Sequence, residues 1–105
     1  MLCYASFMES ITEKIRTLKI PQLEILKILV ESKNGVSSAK EIGDTTNTAS
    51  YSLGAMITPL RRIQTDKGRL IIPAGRDLDN SVRWQINEKV VSRSDLKILL
   101  SEMGI

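Results

Sequence analysis

Between Ser37 and Ile86 the hydrophobic pattern passes from helical spacing to strand alternation, and that order restricts the fold more than any other feature of the chain. Ser38 followed by Glu41 is a capping box, in which a hydroxyl accepts an N–H three residues on and a carboxylate reaches back. It predicts a short helix starting at Ala39, with Ala39, Ile42 and Gly43 facing inward. Asp44-Thr45-Thr46-Asn47 reads as a polar turn. Asn47 is the residue best able to take a left-handed backbone there, because its short amide bonds locally. Ala49, Leu53, Ile57 and Leu60 then recur at helical intervals and mark the inner side of a second helix over 48–63. Pro59 removes the bond to the Ala55 carbonyl, so a kink or break is expected near Thr58, with Thr58 capping a separate last turn.

Two strand-like runs follow. Leu70-Ile71-Ile72 is bounded by Arg69 and Pro73, and Val82, Trp84 and Ile86 alternate with Arg83 and Gln85. The stretch 74–81 between them is rich in turn formers and predicts a hairpin loop that carries Arg76. Trp84 is expected in the core, anchoring the ribbon against the helices.

The flanks are helical. Tyr4, Phe7, Met8, Ile11, Ile15 and Leu18 form one apolar stripe, with Glu9, Glu13, Lys14 and Arg16 opposite. Pro21 fits the first position of the next helix, whose buried face holds Leu23, Leu26, Leu29 and Val30, and Asn34-Gly35 is its expected stop. Leu96, Leu99, Leu100 and Met103 put a further helix over 94–103.

Several functions are excluded by what the chain lacks. It has no histidine and one cysteine, Cys3, so a zinc site of His and Cys, an intrachain disulfide and His-dependent nucleophilic catalysis cannot be built. No clustered carboxylates or phosphate loop suggest an enzyme, and no cofactor, metal or small-molecule ligand is indicated. No apolar run approaches the ~20 residues of a membrane span, and a signal peptide is not evident, so a cytoplasmic protein is expected. At 105 residues, 42% hydrophobic and 26% charged, the chain is long enough for one modest core. Its net charge of +3 is unremarkable, but six of its fifteen Lys and Arg residues lie between 61 and 83: Arg61, Arg62, Lys67, Arg69, Arg76 and Arg83. Only Asp66, Asp77 and Asp79 oppose them there.

Ser38-Ala39-Lys40-Glu41-Ile42, the spacing to Leu53, Leu60-Arg61-Arg62-Ile63 and the closing Arg83-Trp84-Gln85-Ile86 resemble winged-helix DNA-binding proteins. The nearest pattern is that of small archaeal, viral and plasmid regulators and MarR-like repressors. Asn47 in place of the usual turn glycine, and Pro59 within the second helix, depart from that pattern. The resemblance covers about half the chain. It implies an α+β, mostly α fold: a winged helix-turn-helix with a two- or three-stranded β-wing, Val36 supplying a short extra strand, and additional N- and C-terminal helices. The implied division is an N-terminal helix over 1–20, the winged-helix domain over 21–87 and a C-terminal helix over 88–105.

The same resemblance implies a homodimer on double-stranded DNA, acting as a transcriptional regulator or a plasmid or viral DNA-organising factor. Thr48, Ser50, Tyr51, Ser52 and Ala55 would then meet base edges, since hydroxyls bond to bases or phosphates and an alanine methyl suits thymine. Arg61, Arg62 and Arg83 would meet phosphates, and Arg76 phosphates or the minor groove. Most have a competing role: solvated helix surface for the first group, with Tyr51 alternatively packing on the wing, the helix C-terminus for Arg61 and Arg62, and an edge-strand charge for Lys67, Arg69 and Arg83; Asp77 and Asp79 reduce the field beside Arg76. The stripes over 4–18 and 96–103 are candidates for a dimer interface or for packing on their own subunit. The alternative function is a winged helix used for protein–protein contact in a replication, transcription or segregation complex.

Overall fold

In the computed structural model, which describes residues 11–48 and 50–105 apart from the side chains of Ser50 and Tyr51, the elements are organised around one central helix. Tyr4, Phe7 and Met8 of the first stripe, Cys3, and the expected inward Ala49 lie outside the described residues. Helix α1 is described over 11–16, and its Ile11 and Ile15 are fully buried. Helix α2, Ile20–Glu31, buries Gln22, Leu23, Ile25, Leu26, Leu29 and Val30, an arc wide enough to be covered on several sides. Its neighbours are α3 (Ala39–Thr46), α4 (Ser50–Arg61), α5 (Arg93–Glu102) and the strands β1 (Val36–Ser38) and β5 (Val82–Ile86).

Pro21 occupies the second position of α2, after Ile20 and the extended cap Lys19, one place later than expected. The helix stops at Ser32, before Asn34-Gly35. Both of those residues take a left-handed backbone, at φ 58° and 69°, and together they turn the chain into β1. Arg93 closes the end of α2 from a distance. Its Nη2 donates to the carbonyls of Val30 and Ser32, both at 2.8 Å, supplying partners to acceptors that a helix end leaves open.

Helix α3 starts where the capping box puts it. The Ser38 hydroxyl accepts the Glu41 N–H at 3.1 Å, while the Glu41 carboxylate turns to the Ser37 hydroxyl at 3.2 Å. Asn47 then takes the left-handed conformation (φ 53°, ψ 45°), and Thr48 N–H donates back to the Gly43 carbonyl at 2.8 Å. That close approach accounts for Gly43: a Cβ there would sit 3.0 Å from the Thr48 carbonyl oxygen.

Helix α4 runs unbroken through Pro59, so of the expected kink or break the break is absent. Thr58 caps nothing; its hydroxyl donates to the Gly54 carbonyl at 2.9 Å within the same helix. The carbonyl that Pro59 deprives belongs to Ala55, which is exposed, so water can replace the lost donor. Packing supplies the rest. Leu53, Ile57 and Leu60 are buried on either side of the proline and hold the helix against α2.

The strands depart most from expectation. Gln64–Thr65 (β2) and Gly68–Arg69 (β3) form their own small ladder, and the main strand β4 covers Ile71–Arg76 rather than 69–73. Order β1-β5-β4 makes β4 an edge strand, where a proline's missing donor is tolerated, so Pro73 pairs with Trp84 instead of ending the strand. A register shift between Pro73 and Arg76 carries Gly75 at φ 85°, a bulge that an L-side chain would strain. Arg76 therefore stands at the strand end opposite Val82, not in the loop. Ile11, Ile15, Leu96 and Leu100 belong to the same core as Leu26, Leu53 and Ile86.

Candidate nucleic-acid interface

Alternation along β5 decides which side chains face α4. Val82 and Trp84 point to one side, where they join Leu53, Gly54, Ile57 and Arg61 of α4 in lining a groove of about 560 Å³. Ala39, Lys40, Gly43, Asp44 and Thr48 line it from α3 and the turn, and Arg76, Asp79, Asn80 and Ser81 line it from the wing. Arg83 points the other way, into a recess with Lys33 and Glu41.

The wing is tied to α3 at two points. Ser81 Oγ accepts the Lys40 N–H at 2.9 Å, and Lys40 Nζ lies 3.8 Å from Asp79 Oδ2. Asp79 Oδ1 also accepts the Ser81 N–H at 3.0 Å, closing the wing tip. Arg76 donates from Nη1 to the Asn80 carbonyl at 2.9 Å. Trp84 packs against the core as expected, but it is only half-buried; its ring lies beneath the guanidinium of Arg61, 5.3 Å from carbon to centroid.

The residues expected to touch DNA fall into three groups. Thr48, Arg61 and Arg76 share the groove. Thr48 is half-buried, and its hydroxyl is in hydrogen-bond contact with that of Thr46 at 2.9 Å, so it also serves the turn. Ser52 and Ala55 lie on α4, half-buried and exposed respectively, with exposed Arg62 just past its end. The backbones of Ser50 and Tyr51 open α4, while their side chains lie outside the described residues. Arg83 is exposed but separated from the groove by the ribbon itself.

Sequence reading missed Ser81 and Lys40 as groove residues, and that Trp84 flanks the groove as well as packing against the core. The shared alternation of Val82 and Trp84 was a signal for Trp84; no local pattern announces a contact from Ser81 to a residue forty-one positions away.

Among the described residues no group of three His, Cys, Asp or Glu side chains is placed to hold a metal, and no helix is long and apolar enough to cross a membrane.

A short helix, a tight turn, a second helix and an antiparallel hairpin beside it define a winged helix-turn-helix, and that is the fold of this chain. No protein-family model and no curated protein matches the chain. Solved structures do. MepR, a transcription regulator of the Staphylococcus aureus multidrug efflux pump MepA, is similar at a TM-score of 0.61 and 11% identity, over 97% of this chain and 76% of its own. YusO from Bacillus subtilis is similar at 0.58 and 12% identity, over 98% and 71%. A variant of ZitR from Lactococcus lactis is similar at 0.58 and 20% identity. The match covers 83% of this chain and 55% of the ZitR chain, so this chain spans little more than half the length of that protein.

Proposed function

We propose that this chain is a transcriptional regulator that binds double-stranded DNA, with α4 in the major groove and the wing on the adjacent backbone. The observation that carries this reading is the pairing of α4 with a wing that brings Arg76 to the groove lined by Arg61. A helix flanked by such a wing can present side chains to base edges while its flanks take phosphates. Ser50, Tyr51, Ser52 and Ala55 supply sequence preference, and Arg61, Arg62 and Arg76 supply affinity. The mechanism is binding alone, in the cytoplasm.

Two further observations support it. MepR, of the same fold, is a transcription regulator. The large apolar side chains exposed among the described residues are Ile20, Leu78 and Ile98, and none lies on the part of α4 from Ser52 to Arg61. A helix used to dock a protein partner would expose apolar area instead.

The active form is a homodimer joined through the terminal helices, with exposed Ile98 on α5 contributing, while Leu99 on α5 and Met103 just past its end are half-buried against the subunit's own core. Two copies of α4 would then enter successive major grooves and require half-sites about one helical turn apart.

The test is anisotropy of labelled duplex DNA titrated with the protein at two salt concentrations. Affinity that falls steeply with salt is expected, because each neutralised phosphate releases counterions. Absence of binding at low salt would end this reading in favour of a protein partner.

A further inference from the structure

We propose that Trp84 is a positioning residue for duplex binding: its ring holds the Arg61 guanidinium in place so that Arg61 and Arg76 grip one phosphodiester strand from two walls of the groove. The inference rests on the DNA-binding reading above. It assigns to Trp84 a task that neither core packing nor contact with DNA describes.

The strand alternation that buries Ile86 leaves Trp84 half-buried beside the groove, so much of its ring remains available to a neighbour. That neighbour is a cation, 5.3 Å from the ring centroid. Arginine suits the contact because its planar, weakly hydrated guanidinium stacks on an aromatic face while its N–H fork stays directed outward. The Arg61 side chain makes no ion pair or hydrogen bond among the described residues, so the contact with the Trp84 ring is what restrains it while its donors stay available. A fork ordered before the ligand arrives loses less entropy on binding.

Arg76 is ordered by a different partner. One end of its fork is spent on the Asn80 carbonyl at 2.9 Å. Lys40, Arg61 and Arg76 line the groove against Asp44 and Asp79, and Asp79 is engaged by Lys40. The excess charge is therefore positive and resides in the two arginines. Planar forks match phosphate oxygens in two-point geometry, which a point charge cannot do.

The test is a double-mutant cycle read by anisotropy on one labelled duplex, across a salt series. It uses the full chain, Arg61→Gln, Trp84→Leu, Trp84→Phe and the doubles, with thermal melts alongside. Arg61→Gln is expected to weaken binding and to lower the slope of log K against log salt by about 1. Trp84→Leu is expected to weaken binding about two- to five-fold with a lower slope, and Trp84→Phe to recover part of the loss, as an aromatic face of weaker attraction. In the Arg61→Gln background, Trp84→Leu is expected to add nothing.

A Trp84→Leu loss of the same size with or without Arg61 would overturn the proposal, since Trp84 would then act through the fold alone. So would unchanged affinity in Trp84→Leu. Should Trp84→Leu fail to fold, Trp84→Phe decides by the same criterion, because its smaller loss must also vanish without Arg61. If the wild-type chain shows no salt-dependent duplex binding, the DNA reading itself falls and this inference falls with it; binding without coupling removes only the role of Trp84.

Discussion

The hydroxyl of Ser81, in the wing, accepts the backbone N–H of Lys40, in the first turn of α3, at 2.9 Å. Ser38 caps the same helix from within through the Glu41 N–H, so two of the open donors at the start of α3 are satisfied by different parts of the chain. The wing is thereby fixed to the helix-turn-helix through its backbone as well as through the Lys40–Asp79 pair. That surface pair, at 3.8 Å between exposed side chains, contributes little by itself.

Ser81→Ala should lower unfolding stability by about 0.5–1 kcal/mol, because the exposed Lys40 N–H can turn to water. Ser81→Thr should retain most of it. Urea denaturation measures both; equal losses in the two variants would show that the hydroxyl is not acting as a cap.

Arg93 should matter more for stability. Its Nη2 serves the carbonyls of Val30 and Ser32 in a half-buried setting where water substitutes poorly. Arg93→Met is expected to cost about 1.5–3 kcal/mol in the same measurement, the range for hydrogen bonds to a charged group. Arg93→Lys should fall between, as an ammonium lacks the planar fork. A loss below about 0.5 kcal/mol in Arg93→Met would show that solvent already shares those carbonyls.

The turn before α4 tests backbone geometry apart from side-chain contacts. Asn47→Gly should be nearly neutral, since glycine adopts φ 53° freely. Asn47→Val should cost about 1–2 kcal/mol, because a β-branched residue resists the left-handed region. Thermal melts of the pair suffice, and similar midpoints would mean that the turn relaxes.

The terminal helices should separate two roles. Ile15→Ala, at a fully buried position, should cost about 2–5 kcal/mol in the monomer's own stability. Ile98→Asp, at a position 59% exposed, should leave the subunit folded and shift the homodimer towards monomer in sedimentation equilibrium. An unchanged dimer would move the interface away from this face of α5, and a monomeric wild type would remove the homodimer.

On DNA, Arg76→Ala should weaken binding at every sequence and lower the salt slope by about 1, whereas Arg83→Ala should have a smaller effect. The difference follows from the ribbon, which sends Arg76 to the groove and Arg83 to the recess beside Glu41. Anisotropy on specific and scrambled duplexes distinguishes them, and equal losses would place the backbone contacts on both faces of the wing.

The local elements of this protein were legible in its sequence wherever neighbouring residues decide them. The Ser38 cap, the left-handed Asn47, the alternating strand ending at Ile86 and the helix over 94–103 each depend on chemistry within a few positions. Tertiary structure decided the rest, where distant groups outweigh local preference. Pro59 reads as a helix breaker, yet α4 continues past it, with Leu53, Ile57 and Leu60 buried on either side. Pro73 reads as a strand end, yet an edge strand has no need of its missing N–H. Trp84 reads as core, yet it flanks a groove because β5 turns that face towards α4 and Arg61 arrives from another element. Residue spacing carries the elements because backbone conformation is local. It does not carry the wing's latch or the arginine stack, since those depend on where two separate segments come to rest.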